Sequence, residues 1–228
     1  MRTLILVSIL FFSLNAYSQV LSDININCFR DSQAKFIGGE DALNKFFGLN
    51  LQYTKDMSYG TMIGVIIIDQ YNKEYKTLMI NSLGKSCDNE FNRVVQLTKH
   101  KWEKNDSINT LYCVINIEFS YAGSKYFIDY QGQPDFIIGG IQLKIYIDKK
   151  IKSDEKLVAT VNKYYSEKNY KKALPIINQL IKRNPYYSTF YVMRIKSLLS
   201  LGKDATKDYW VLTEFLNERK YIDILNNE

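Results

Sequence analysis

A catalytic thiol needs a base within hydrogen-bond reach and a third group to orient that base. The chain offers Cys28, Cys87 and Cys113 as thiols and His100 as its single imidazole. Cys87 precedes an apolar-periodic segment and His100 follows it. Roughly 13 residues of helix would hold them about 19 Å apart at 1.5 Å per residue. They are expected to be a thiol beside a helix start and a surface imidazole, not partners in hydrolysis. None of the three cysteines has metal-ligand spacing, and one His makes a zinc centre an unsuitable reading. Gly38-Gly39 could cradle a phosphate at a helix start. Glu40 and Asp41 already place negative charge there, so a tight entry turn is the better reading. No pair of carboxylates is placed for acid–base work. The expectation is therefore no catalytic residue, no metal and no cofactor.

What remains is the chemistry of unpaired backbone. A strand at the edge of a sheet presents N–H and C=O groups that an extended peptide can complete. The segment Thr110–Tyr121 (TLYCVINIEFSY) is the candidate. Side chains alternate along it. Leu111, Cys113, Ile115 and Ile117 form the more apolar set and should face helices. Tyr112, Val114, Asn116 and Glu118 should lie on the open face, and these four mark the expected peptide-binding edge. That edge is available only if neither Tyr126–Tyr130 nor Ile141–Asp148, both strand-like, already pairs with it.

The elements that would position this strand read as follows. Ala42, Leu43, Phe46 and Phe47 recur at helical spacing behind an acidic first turn, and Gly48 is a plausible stop. Thr61–Asp69 (TMIGVIIID) and Tyr75–Ser82 are strands joined by Gln70-Tyr71-Asn72-Lys73, where Asn72 best tolerates positive φ. A loop over Gly84–Asp88 leads to a second helix with Phe91, Val94, Val95 and Thr98 inward, and Trp102 follows within about a turn. Helix, hairpin, helix, strand is the order of an α+β fold: a three-stranded antiparallel sheet, open to extension, with two helices on one face. Gly139-Gly140 reads as a bend or bulge.

From Ser153 onward the pattern is helical. Leu157, Val161 and Tyr164 share one face; Tyr170, Ala173, Leu174 and Ile177 share the next, before Asn184-Pro185. Phe190, Met193, Leu198, Tyr209, Leu212, Phe215 and Leu216 continue the series. Two helical hairpins about 34 residues apart suit a tetratricopeptide-like unit. Two units are fewer than such arrays need, so their spare apolar residues must be covered by the first domain, a second copy or a partner.

Composition sets the compartment. Arg2 followed by the apolar run Leu4–Leu14 and by Asn15-Ala16-Tyr17-Ser18-Gln19 has the order of a secretory signal cleaved near Gln19. The run is shorter than the roughly 20 apolar residues a spanning helix needs. Residues 1–19 are thus expected to be a signal peptide, 20–150 a first domain with a strand extension, and 153–228 an all-α helical-hairpin tail. Export to an oxidising compartment would permit one disulfide and leave one thiol, with no pair preferred by spacing. Residues 20–152 carry 16 basic and 15 acidic side chains; residues 153–228 carry 13 and 9. The basic excess sits on the tail, as expected of a solvated helix face. No Arg-rich arm or aromatic–basic platform points to nucleic acid.

The ordered motifs resemble the TonB C-terminal domain family in its divergent Bacteroidetes-type form. Its F-x-G-G-E-x-A-L is matched by Phe36 to Leu43, and its V-I-D and turn by Ile67-Ile68-Asp69 and Gln70 to Lys73. The family's S-x-G-x-x-C-D-x-E is matched by Ser82 to Glu90, its R-V-V by Arg93-Val94-Val95, and its following Trp by Trp102. The resemblance covers Phe36 to Tyr121. It implies the same sheet and the binding of an extended segment of an outer-membrane receptor along the third strand. Departures concern the motor function: Thr54 and Glu103 stand where the family has proline, the chain's His is His100, and no proline-rich linker precedes the domain. The tail resembles the tetratricopeptide pattern at Tyr164, Tyr170, Ala173 and Pro185. The expectation is a periplasmic protein-binding adaptor and not an enzyme. The alternatives are a TonB-type energy transducer anchored in the inner membrane, which alone would touch membrane through a retained N-terminal segment, and an uncharacterised enzyme.

Overall fold

The computed structural model describes residues 33–52, 60–121, 136–143 and 154–226. The expected signal segment, Cys28, the Tyr53–Met57 stretch, the Tyr126–Tyr130 strand and residues 144–148 lie outside the described residues. The elements in chain order are α1 (Gly39–Asn50), β1 (Gly60–Asp69), β2 (Glu74–Asn81), α2 (Lys85–Leu97), β3 (Thr110–Tyr121) and β4 (Phe136–Leu143). The tail follows with α3 (Asp154–Ser166), α4 (Tyr170–Arg183), α5 (Ser188–Ser200), α6 (Thr206–Trp210), a π-helical turn (Val211–Phe215) and α7 (Lys220–Asn226). The chain is a mixed α+β fold around one sheet of order β2-β1-β3-β4. The three strands β1, β2 and β3 pair antiparallel, from Asp69↔Glu74 and Asp69↔Thr110 outward.

Strand β1 explains the layering. Its residues Thr61–Ile66 and Ile68 are buried without interruption. A strand covered on one face alternates apolar and polar; one covered on both reads as a continuous apolar run. Met62, Ile66 and Ile68 pack with Leu43, Phe47, Phe91, Val94 and Trp102 in a core under α1 and α2. Ile63 and Val65 point the other way, into a second core with Leu157, Ile177, Leu180, Phe190 and Leu212 of the tail. The tail's spare apolar faces are therefore covered by the sheet, giving three layers: helices, sheet, helices. Gly64 is required by close packing, since a Cβ there would come within 2.4 Å of the Phe91 ring.

Local chemistry sets the element ends. Gly38 and Gly39 both have positive φ (90° and 75°), and the Gly39 N–H closes the turn on the Phe36 carbonyl at 2.8 Å. The expected stop at Gly48 is passed by, and α1 continues to Asn50, whose side chain donates to the Phe46 carbonyl at 2.8 Å. Helix α2 starts at Lys85, so most of Gly84–Asp88, read as a loop, is already helical. Ser82 Oγ donates to the Asp88 carboxylate at 2.7 Å, and Cys87 turns into the core. In the hairpin, Lys73 rather than Asn72 takes positive φ, at 55°. Asn72 instead donates from its backbone and its amide to Asp69, at 2.9 and 2.8 Å. Trp102 is buried, stands edge-on to Phe36 at 5.2 Å, and donates Nε1–H to Thr98 Oγ1 at 2.9 Å.

Helices α3 and α5 begin 34 residues apart, at Asp154 and Ser188, the repeat spacing expected of paired hairpins. The Asn169 side chain caps α4 by accepting from Lys172 N, and buried Arg183 at the end of α4 pairs with Asp154 at the start of α3. The tail is docked by backbone as well as by oil. Thr61 Oγ1 donates to the Arg183 carbonyl and Asn81 Nδ2 to the Ile181 carbonyl, each at 3.4 Å. These sheet side chains satisfy carbonyls that a helix end leaves without intrahelical partners.

Candidate functional site

Strand β3 is held on one side by β1 along its length, from Gly60↔Phe119 to Asp69↔Thr110. Its alternation is the expected one on the helix side: Leu111, Cys113, Ile115 and Ile117 all belong to the core under α1 and α2. The opposite face differs from expectation. Tyr112, Val114, Asn116 and Glu118 do not lie on an open face, because the tail packs over them. Val114 is buried within the tail-side core, Tyr112 packs against it, Asn116 is fully buried, and Glu118 is half-buried. The physical reason is the second apolar layer: a sheet with Ile63, Val65 and Val114 on that face must cover it.

Within this layer the polar side chains form a small buried group. The Asn116 amide lies against the Tyr186 hydroxyl, and burial raises the pKa of Tyr186 well above the ordinary phenol value. Loss of hydration likewise raises the Glu118 carboxyl. Val114 and Asn116 are buried and Tyr112 and Glu118 are only partly exposed, so what β3 chiefly offers is its backbone.

The outer backbone edge of β3 is also further occupied than a three-stranded sheet implies. Ala34 N–H donates to the Tyr112 carbonyl at 2.7 Å, with Gln33 bridging Tyr112 in parallel. From Ile115↔Phe136 to Tyr121↔Leu143, β4 runs parallel to β3. Thus β3 is an inner strand here, and of the two outcomes left open for its outer edge the structure takes the paired one. The strand read at Ile141–Asp148 shares Ile141–Leu143 with β4, which begins earlier, at Phe136; residues 144–148 lie outside the described residues. Gly139-Gly140 forms the expected bulge: Ile117 faces Ile138 and Phe119 faces Ile141, which leaves both glycines opposite Glu118.

The other sheet edge is guarded by side chains. Gln96 Nε2 of α2 donates to the Tyr75 carbonyl of β2 at 2.9 Å, and Lys207 Nζ of α6 donates to the Met79 carbonyl at 3.1 Å. Burial lowers the Lys207 pKa, the nearby Arg194 adds to this, and Asp208 and Asp88 oppose it. Arg194 grips Asp208 through two nitrogens at 2.7 and 2.5 Å, donates to Asn178 at 3.1 Å, and stacks over Tyr191 at 5.3 Å. Nothing in the sequence periodicity marked this network.

A groove of about 900 Å³ lies at the hairpin end, bordered by Asp69, Gln70, Tyr71, Trp102, Asn105 and Asn109. Several of its polar groups serve the loop itself. Gln70 and Asn105 exchange hydrogen bonds at 2.9 Å, and the Tyr71 N–H donates to Asn109 Oδ1 at 2.9 Å. Hydrogen bonds from Asn72 hold the Asp69 carboxyl below its ordinary pKa. Cys87 and His100 are not brought together: Cys87 is buried in the first turn of α2, and His100 is exposed beyond that helix's far end. Comparison with family models, with curated proteins and with solved structures gives no match.

Proposed function

We propose that the chain is an exported protein-binding adaptor that takes up an extended peptide by adding it as a strand beside β3. The resemblance of Phe36–Tyr121 to TonB C-terminal domains suggested this, with an outer-membrane receptor segment as the natural class of partner. The observation it rests on is the parallel ladder from Ile115↔Phe136 to Tyr121↔Leu143: this edge accepts a parallel strand of the same chain, and a peptide can pair there only where β4 leaves it. An extended eight-residue segment sits on the outer edge of β3, in the place a peptide would take. Both faces of the sheet are spent on the two cores, and the β2 edge is met by Gln96 and Lys207. Recognition of a strand by backbone pairing needs an accessible ladder more than it needs displayed side chains.

The test uses the mature full chain and peptides selected against it from a random 12-residue library. Each selected peptide is resynthesised with single N-methyl groups along its backbone. Strand addition predicts a period of two, because alternate N–H groups point at the protein. Methylation at one parity should weaken binding at least tenfold, and at the other parity hardly at all. Selection of no peptide, or peptides whose binding follows side chains without that parity, overturns the reading.

A further inference from the structure

Strand β4 is the weakest-built member of the sheet. Its ladder is parallel, a pairing less stable per residue than the antiparallel ones that join β1 to β2 and β3. Gly139 and Gly140 lie in mid-strand, where glycine adds no packing and loses the most backbone freedom. The register breaks at that point, opposite Glu118. Glu118 is itself a half-buried carboxyl whose pKa is raised, so the centre of the ladder runs past a poorly solvated acid. By contrast β1, two strands in, pairs without a break along β3.

Building on the strand-addition reading, we propose that β4 is an exchangeable strand. It closes the β3 edge from within the chain and is displaced by an extended segment that pairs parallel to Ile115–Tyr121. The sequence of β4 itself, Phe-Ile-Ile-Gly-Gly-Ile-Gln-Leu, defines what the incoming segment must be. It is uncharged, free of proline, and carries large apolar side chains at five of its eight positions. A partner segment of the same character with better strand formers than Gly-Gly would compete favourably with β4. Access to the edge is then set by the opening of β4 rather than by diffusion of the partner alone.

The probe is a fluorescent peptide of the β4 sequence flanked by two lysines at each end, titrated against the full chain by anisotropy. It is compared on the parent and on the double variant Ile137→Pro with Ile138→Pro. Adjacent N–H groups point to opposite sides, so one of the two prolines removes a donor aimed at β3. The peptide should bind the variant at least tenfold more tightly than the parent. In the parent, the amides of β4 should exchange with deuterium at least a hundredfold faster than those of Val65 and Ile66. Equal binding to both proteins refutes the exchange while leaving the β3 edge as a peptide site. No binding to a variant that melts as the parent does removes the edge site as well. A variant that fails to fold, or β4 amides as protected as β1, makes β4 a structural strand and overturns the proposal.

Discussion

Gly60→Ala tests how the tail is joined to the sheet. Gly60 has φ of +140°, a conformation L residues rarely adopt, and a Cβ built there would lie 2.2 Å from the Lys182 carbonyl oxygen. Backbone strain of this kind costs on the order of 1–3 kcal/mol. The collision costs more, because contacts under 3.0 Å are not tolerated and both neighbours are backbone. Relieving it requires the end of α4 and the start of β1 to separate by about 0.8 Å, the difference between 3.0 and 2.2 Å. The Thr61–Arg183 and Asn81–Ile181 hydrogen bonds are already long at 3.4 Å and would not survive that shift. Losing two such bonds adds about 1–2 kcal/mol. The total expected loss is about 2–5 kcal/mol, summing strain and lost bonds. Gly202→Ala is the control: φ is +65°, no heavy atom lies within 4 Å, and only left-handed strain of about 1–2 kcal/mol applies. Urea unfolding of both variants, followed by circular dichroism, gives the comparison. If Gly60→Ala is no less stable than Gly202→Ala, the tail is not seated against β1 at this point and the docking argument fails.

Three further outcomes are expected. Trp102→Ala should lose about 3–5 kcal/mol by the large-to-small rule, since the ring fills the core against Phe36 and spends its N–H on Thr98; a melting temperature equal to the parent's would place the ring outside the core. Glu118→Gln should stabilise the fold at neutral pH. Burial raises the folded pKa of Glu118, so its ionised form opposes folding above that pKa, and protonation removes the penalty as pH falls; the gain should vanish in acid, and a loss at neutral pH would show that the charge has a partner. An isolated 154–226 fragment should be weakly helical with shallow melting, because Leu157, Ile177 and Phe190 would lose the sheet they pack on; a sharp monomeric transition would refute this.

Much of the first domain was legible because its elements obey one period each. The apolar series through Phe91, Val94 and Val95 and the alternation Leu111, Cys113, Ile115, Ile117 both point where periodicity puts them. The 34-residue offset between Asp154 and Ser188 was legible for the same reason. The second layer was legible only as one of three ways to cover the tail's apolar residues, although β1 carried a further signal for it. A strand reading TMIGVIIID has no polar face, and that alone requires cover on both sides. The placement of Asn116 and Glu118 followed from missing it: two polar residues in alternation imply solvent only when nothing else claims their face. The start of β4 was set too late: Gly139-Gly140, read as a bend or bulge before a strand at Ile141, lies within a strand that begins at Phe136. The early start of α2 was hidden because Cys87 behaves as a core residue in its first turn, a choice that packing makes and local propensity does not.

The two outer regions of the sheet are closed by different means, and the difference carries functional weight. On β2, the Tyr75 and Met79 carbonyls are met by a glutamine amide and a lysine ammonium from two separate helices. A strand arriving there would have to dislodge both and break the Lys207–Met79 hydrogen bond of an ammonium whose charge burial already disfavours. Beside β3, closure is by a strand, which leaves the geometry of the ladder intact whenever that strand is exchanged for another. A side-chain guard and a backbone guard differ in what they permit: the first forbids pairing, the second preserves a template for it. Since both faces of β1 and β3 are committed to the two cores, the strand addition we propose would run along Ile115–Tyr121.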